Sequence, residues 1–219
     1  MPTAEKRLTI ALPKGKLFQT SAKLLASIGY AAEGLAEDSR KLILEGECAR
    51  FIIAKTADVP TYVEYGAADV GIIGKDVLAE GRKDVCEVLD LGFGQCHLMM
   101  AVPEKTRRAH VEDYANTRVA TKFPHLAEQF FASKGMQMEY VKLHGSIELG
   151  PLVDLSESIV DLVETGTTLR ENHLVEIAVI MQSTARLIVN RASFQLKYNR
   201  ILALMQGIQA RLPTREGVA

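Results

Sequence analysis

Runs of strand-forming residues alternate with amphipathic helical segments along almost the whole of this chain, and few folds accommodate that order. Residues 8–12, Leu-Thr-Ile-Ala-Leu, make an apolar run of the length of a buried strand. Residues 17–28 set Leu17, Leu24, Leu25 and Ile28 at helical spacing, and Gly29 stops the helix. The runs 41–44 and 49–54 flank Glu45-Gly46-Glu47, which predicts a hairpin. Asp58 stands where it can cap a helix with Pro60 in its first turn, 69–73 reads as a strand, and Gly74 opens the next helix. Strands at 85–91 and 97–102 surround Gly92-Phe93-Gly94. The pattern then repeats: strand 117–120, helix 124–134, strand 138–143, a short helix near Glu148, strand 158–163, a helical turn at 167–172 and a last strong strand at 175–182. The end reads as helix, with Ile201, Met205, Ile208 and Leu212 on one face. This order predicts an α/β protein with largely parallel sheets. The polar stretch 103–111 predicts a boundary between two lobes.

At 219 residues the chain can form one large domain or two small lobes around a real core. Its 26 Lys and Arg nearly balance 27 Asp and Glu, which argues against a nucleic-acid binder, since that needs a basic surplus. Any site for a highly charged ligand must come from local clustering. No apolar run approaches the ~20 residues that span a bilayer. The N-terminal apolar run ends at Pro13, without the core of a secretory leader. Cys48, Cys86 and Cys96 form no CxxC pair, and the five histidines form no HExxH. The expectation is a reduced, cytoplasmic protein with no membrane attachment and no metal-ligating set of its own.

The strongest local feature runs from Ser158 to Leu169. An apolar strand carries Asp161 near its end, then Glu164-Thr165-Gly166-Thr167-Thr168 turns into a helix. Backbone N–H groups at such a turn point outward and favour an anion. Gly166 lets the backbone approach closely, the threonines add hydroxyl donors, and Asp161 can accept hydrogen bonds from vicinal ribose hydroxyls. The arrangement suits a sugar phosphate, although a plain Thr/Gly turn has the same composition.

A second feature is Pro13-Lys14-Gly15-Lys16-Leu17, directly after the first strand. Cations at strand ends suit an anionic ligand at the edge of an open α/β sheet, and Arg40 and Lys55 occupy similar places. Other templates fail. Gly74-Lys75 is followed by Asp76 and lacks the earlier glycine of a Walker A loop, Gly92-x-Gly94 does not continue as a dinucleotide fingerprint, and no GxSxG is present. Cys96 and His97 are neighbours on a strand and point to opposite faces, which disfavours a nucleophile pair.

The segment 148–169 closely resembles the signature of the ATP phosphoribosyltransferase family, with Glu148, Ser156, Ile159, Asp161, Leu162, Thr165, Gly166, Thr168 and Leu169 at the family's spacing. Asp154 stands where the family usually has glycine. Residues 8–17, Asp58-Val59-Pro60, 68–74 and 91–103 are similar to the family too, so the resemblance covers nearly the whole chain in order. It implies two α/β lobes of the type II periplasmic-binding-protein kind, with the substrate cleft between them. Lobe I would be residues 1–103 plus 179–219, and lobe II the inserted 104–178 with the phosphoribosyl-phosphate loop 161–169. It also implies the short form, with no C-terminal regulatory domain. That form works in a hetero-oligomer, a hetero-octamer in the family, with a regulatory subunit resembling histidyl-tRNA synthetase, and its catalytic subunits form homodimers.

The implied reaction is the first step of histidine biosynthesis: Mg²⁺-dependent transfer of phosphoribosyl from phosphoribosyl pyrophosphate to N1 of ATP, releasing pyrophosphate. By resemblance Lys16 stands where the family often has arginine and Arg40 matches a further arginine. Both are assigned to the leaving pyrophosphate or the nucleotide phosphates as catalytic cations, with Lys55 a further basic position. Asp161 would bind the ribose hydroxyls, Glu164, Thr165, Gly166, Thr167 and Thr168 the 5′-phosphate, Leu17 the adenine nucleotide, and Glu148 a ribose or orienting role. Two other readings stay open. A purine or pyrimidine phosphoribosyltransferase also carries a TGxT loop, but usually after two adjacent acids, whereas Val160 precedes Asp161 here. A non-catalytic solute-binding or sensor module would share the two-lobed fold.

Overall fold

A computed structural model describes residues 7–36 and 39–213, so part of the N-terminal stretch read for a leader lies outside the described residues. In chain order the elements are β1 (Leu8–Pro13), α1 (Lys16–Ala26), β2 (Ile43–Glu45), β3 (Ala49–Ala54), α2 (Val59–Glu64), β4 (Val70–Gly74), α3 (Lys75–Gly81), β5 (Cys86–Asp90) and β6 (Cys96–Pro103). They continue as β7 (Arg118–Thr121), α4 (Pro124–Ser133), β8 (Glu139–Lys142), α5 (Leu149–Leu152), β9 (Ser158–Val163), α6 (Thr167–Glu171), β10 (Leu174–Ser183), β11 (Ala185–Val189), α7 (Arg191–Leu196) and α8 (Tyr198–Gln209). No helix among the described residues is long and apolar enough to cross a membrane.

The chain divides into two units, residues 1–94 with 184–219, and 95–183. The first holds a six-stranded sheet in the order β2-β3-β1-β4-β11-β5. Its central strand β1 is buried almost throughout, as a strand covered on both faces must be. Alternate side chains feed two cores. Leu8, Ile10 and Leu12 join Phe18 and Leu25 of α1 and Ile201, Leu204 and Ile208 of α8 on one face. Ala11 joins Val59 and Val63 of α2 and Leu78 of α3 on the other. Each fully buried Ile or Leu of α8 contributes roughly 1.5–3 kcal/mol. Met205 and Leu212, expected on the same face, pack on that core only partly buried, and Leu204 is fully buried there. Asp58 precedes α2 with Pro60 in its first turn, but its side chain makes no capping hydrogen bond.

The second unit holds a five-stranded sheet in the order β10-β6-β9-β7-β8. Met99, Ala101, Ala120, Ile159 and Val163 from its strands pack with Leu169 of α6.

Three sequence expectations are corrected here. The sheets are mixed rather than largely parallel. β1 runs parallel to β3 and β4, and β7 to β8 and β9, but β2–β3, β4–β11, β5–β11, β6–β9 and β6–β10 are antiparallel. β11 is a further strand, between the last predicted strand and the helical end. It is the insertion between β4 and β5 that completes the first sheet. The unit boundaries fall at 94/95 and 183/184 instead of near 103 and 179, because β6 and the whole of β10 pair within the second sheet. The polar stretch after Pro103 lies inside the second unit.

Asp154 adopts φ +57°, the left-handed region that glycine enters without strain. This accounts for the family's usual glycine there. Asp154→Gly is expected to stabilise the fold by roughly 0.5–1 kcal/mol, read as a melting temperature about 2 °C higher with unchanged turnover. A lower melting temperature overturns the assignment of strain.

Candidate active site

In the second unit, β9 is buried along Ser158, Ile159 and Val160 and half-buried at Asp161. The pairing of β9 with β6 sets Asp161 opposite Met99. One carboxylate oxygen accepts the Leu162 N–H at 2.9 Å. Burial pushes the Asp161 carboxyl up to about 6, helped by the negative charge of Glu148, against the Leu162 hydrogen bond and the positive charge of Lys122. Glu148, half-buried just before α5, is therefore an electrostatic neighbour of Asp161.

Sequence reasoning missed Lys122. The parallel register of β7 on β9 pairs Thr121 with Val160, so Lys122 follows at the end of the strand beside Asp161. Thr121 locks that strand end, since its hydroxyl donates to the Val160 carbonyl at 2.7 Å and accepts the Phe123 N–H at 2.8 Å. The signal was present in the sequence, because Lys122 follows a predicted strand as Lys14 and Lys55 do.

After β9 the chain turns through Glu164–Thr168 into α6. Gly166 precedes α6 at φ +70°, a left-handed conformation that glycine adopts without strain. Glu164, Thr165, Thr167 and Thr168 are exposed. The first N–H groups of α6 have no acceptor within so short a helix and face outward. The Thr165 and Thr167 hydroxyls lie 3.2 Å apart. Arg170, also missed, donates to the Thr165 carbonyl and to the Thr167 hydroxyl, both at 3.1 Å. Nothing but its spacing from those threonines marks it in the sequence.

In the first unit the basic candidates gather at one sheet edge. β1 and β3 run parallel with Pro13 opposite Ala54, so Lys14, Lys16 and Lys55 all follow the carboxyl ends of strands. The Lys14 N–H donates to the Ala54 carbonyl at 2.8 Å, and the Thr56 hydroxyl to the Lys14 carbonyl at 3.0 Å. β2 runs antiparallel to β3, so its start, just after Arg40, lies at this same edge. Lys16, Arg40 and Lys55 are exposed there. Gly15 bends the chain between β1 and α1 at φ +95°. Leu17 is half-buried against the first core, and a Cβ at Gly94 would stand 2.3 Å from its Cδ2.

A strand-end acid followed by an anion-holding turn, on an α/β frame with cations at strand ends, has the make of a transferase for a phosphorylated sugar. The comparisons agree with that class and narrow it. The family model for HisG, ATP phosphoribosyltransferase, matches residues 55–210. The ATP phosphoribosyltransferase of Citrifermentans bemidjiense is 51% identical over 205 residues, covering 92% of this chain and 97% of that protein. A solved structure, the ATP phosphoribosyl transferase (HisG:HisZ) complex from Thermotoga maritima, superposes with a TM-score of 0.81 at 30% identity, over 93% of this chain and 96% of that one. The substrate binding protein of an amino acid ABC transporter shares the fold alone, with a TM-score of 0.59 at 11% identity and 93% of each chain covered. This chain belongs to the ATP phosphoribosyltransferase family and is a phosphoribosyl-transferring enzyme. The likeness to the substrate binding protein is one of fold alone, and it is the family membership that sets aside the reading as a non-catalytic solute-binding module.

Proposed function

We propose that the enzyme transfers phosphoribosyl from phosphoribosyl pyrophosphate to N1 of ATP, the first step of histidine biosynthesis. The observation that carries this reading is Asp161, half-buried at the end of β9 and followed at once by the Glu164–Thr168 turn. N1 of adenine is already a lone-pair nucleophile, so no activated serine or cysteine is needed. As the C–N bond forms, the bond from C1 to pyrophosphate breaks and its electron pair leaves on the pyrophosphate oxygen. Asp161 accepts hydrogen bonds from the ribose hydroxyls, and its negative charge favours the cationic character that develops on the sugar. Glu148 keeps Asp161 company and orients the ribose. Glu164, Thr165, Gly166, Thr167 and Thr168 hold the 5′-phosphate. Lys16 and Arg40 take the charge growing on pyrophosphate or the nucleotide phosphates, Lys55 adds to it, and the exposed part of Leu17 offers an apolar contact to adenine.

The residues fit Mg²⁺ as an ion carried by the donor's pyrophosphate. No three His, Cys, Asp or Glu side chains cluster among the described residues, and Mg²⁺ takes most ligands from water and phosphate with one or two carboxylates. Glu148 is the carboxylate available beside Asp161. When bound, the ion supplies positive charge for the departing pyrophosphate.

We also propose that the chain works in the cytoplasm as a homodimer assembled with a separate regulatory subunit resembling histidyl-tRNA synthetase. The named HisG:HisZ complex of the Thermotoga maritima relative supports assembly with a second kind of subunit. The test mixes the purified chain with ATP, phosphoribosyl pyrophosphate, Mg²⁺ and pyrophosphatase, and follows N1-phosphoribosyl-ATP by absorbance and mass, with and without histidine. Product insensitive to moderate histidine supports a catalytic subunit regulated by its partner. Silence that persists after the regulatory subunit is added overturns the reaction. Arg40→Ala is expected to slow the single-turnover rate about 100-fold while donor affinity falls less than tenfold, as for the loss of one charge-stabilising donor in the transition state. An unchanged single-turnover rate removes Arg40 from the leaving group.

A further inference from the structure

We propose that Arg170 is a positioning residue for the phosphate monoester of the ribosyl donor, acting through Thr165 and Thr167 rather than on the substrate itself. The inference rests on the reading of the Glu164–Thr168 turn as the phosphate site. Its geometry is that of a brace. One guanidinium nitrogen donates to the Thr165 carbonyl and another to the Thr167 hydroxyl, so the planar fork spans Gly166. The fork lies directly on that glycine, because a Cβ there would stand 3.1 Å from the nearer guanidinium nitrogen. Glycine at 166 thus serves twice, for its positive φ and for the room it leaves the guanidinium.

A guanidinium only donates, so the Thr167 oxygen accepts from it. The Thr167 and Thr165 hydroxyls lie 3.2 Å apart, and either can donate to the other. Whichever of the two donates, the other keeps its proton for an anion. The two bonds also fix a Thr/Gly turn before ligand arrives, which lowers the entropy lost on binding.

The experiment compares Arg170→Ala, Arg170→Lys, Thr167→Val and the Thr167→Val/Arg170→Ala double variant in steady-state and single-turnover assays. Arg170 is exposed, and the melting temperature of each variant is checked first. Arg170→Ala is expected to raise KM for the ribosyl donor about tenfold, with kcat changed less than threefold and KM for ATP unchanged. Lysine carries the charge without the fork and is expected to leave KM at least threefold high. The double variant is expected to be no worse than the poorer single variant, since both remove one coupled path. Full rescue by lysine, additive effects in the double variant, or equal loss for both substrates overturns the proposal. Thr165→Val and Gly166→Ala separate the two layers of the argument. If they impair donor binding while Arg170→Ala does not, only the brace fails. If they too leave donor KM unchanged, the phosphate reading of the turn fails and the brace with it.

Discussion

Asp161→Ala is expected to lower kcat/KM for the ribosyl donor on the order of 100- to 1000-fold while making the folded chain more stable at neutral pH. The activity loss follows from removing a charged acceptor for two hydroxyls, each such bond contributing about 1.5–3 kcal/mol. The gain in stability follows from the sign of the Asp161 shift. Burial raises its carboxyl from 3.8 to about 6 in the folded state, so the unfolded chain releases that proton more readily. Asp161 therefore costs nothing below pH 3.8, costs progressively more as pH rises toward 6, and costs its full amount above that, about 2–3 kcal/mol. Asp161→Asn should lose that pH-dependent part in denaturant titrations between pH 4 and 7. The same group should appear in catalysis. The wild-type kcat/KM for the donor is expected to rise with an apparent pKa near 6, the ionised form being the acceptor, and this limb should vanish in Asp161→Asn. Wild-type-like turnover by either variant sinks the ribose role.

The parts of this site that were legible in the sequence are those contiguous along the chain. Asp161 and Glu164–Thr168 lie on one strand, turn and helix, and local pattern alone sets their order. Lys122 joins Asp161 only through the parallel pairing of β7 with β9, a contact of 39 residues' separation in the neighbouring Thr121–Val160 bond. Arg170 is close in sequence, yet its role depends on a guanidinium lying against Gly166, which periodicity does not report. The same division holds for the fold. Strand 158–163 matches β9 residue for residue. β11 was lost because Ala-Arg-Leu-Ile-Val is buried on both faces and shows no alternation, and so short an apolar run is also compatible with a helix. The polar residues 103–111 suggest a boundary, but polarity reports exposure rather than a crossing between units, and these residues lie within the second unit. The true crossovers pass through Gly92-Phe93-Gly94 and Ser183-Thr184, where the Ala185 N–H donates to the Phe93 carbonyl and the Leu91 N–H to the Ala185 carbonyl.

Asp69→Ala is expected to destabilise the chain by about 3–5 kcal/mol, a large share of the 5–15 kcal/mol that folds a typical domain. Asp69 is 5% exposed and satisfies three donors from three parts of the first unit. One oxygen accepts the Thr9 N–H at 2.7 Å and the Lys197 ammonium at 2.6 Å, and the other accepts the Ser193 hydroxyl at 2.6 Å. Its own carbonyl takes the Asn190 N–H at 2.9 Å. Asn190 in turn caps α7 by accepting the Ser193 N–H and donates to the Val63 carbonyl. The carboxylate thus ties the starts of β1 and β4 to α7 and α8, the latter carrying Ile201, Leu204 and Ile208 into the core. Removing it leaves the Ser193 hydroxyl and the Thr9 amide without their acceptor and the Lys197 ammonium without its carboxylate, with the Arg7 carbonyl 3.2 Å away, and that lost compensation for desolvation is the cost. Adding Lys197→Met to Asp69→Ala should return about half of the loss, because the stranded charge is then gone. These groups sit at the amino ends of β1 and β4, the opposite sheet edge from Lys14, Lys16 and Lys55. Turnover per folded molecule should therefore stay within about twofold of wild type in both variants. Urea unfolding followed by circular dichroism, with active-site titration of the surviving folded fraction, measures both quantities. A loss under 1 kcal/mol, or no recovery in the double variant, would mean that α7 and α8 are held by their apolar faces alone.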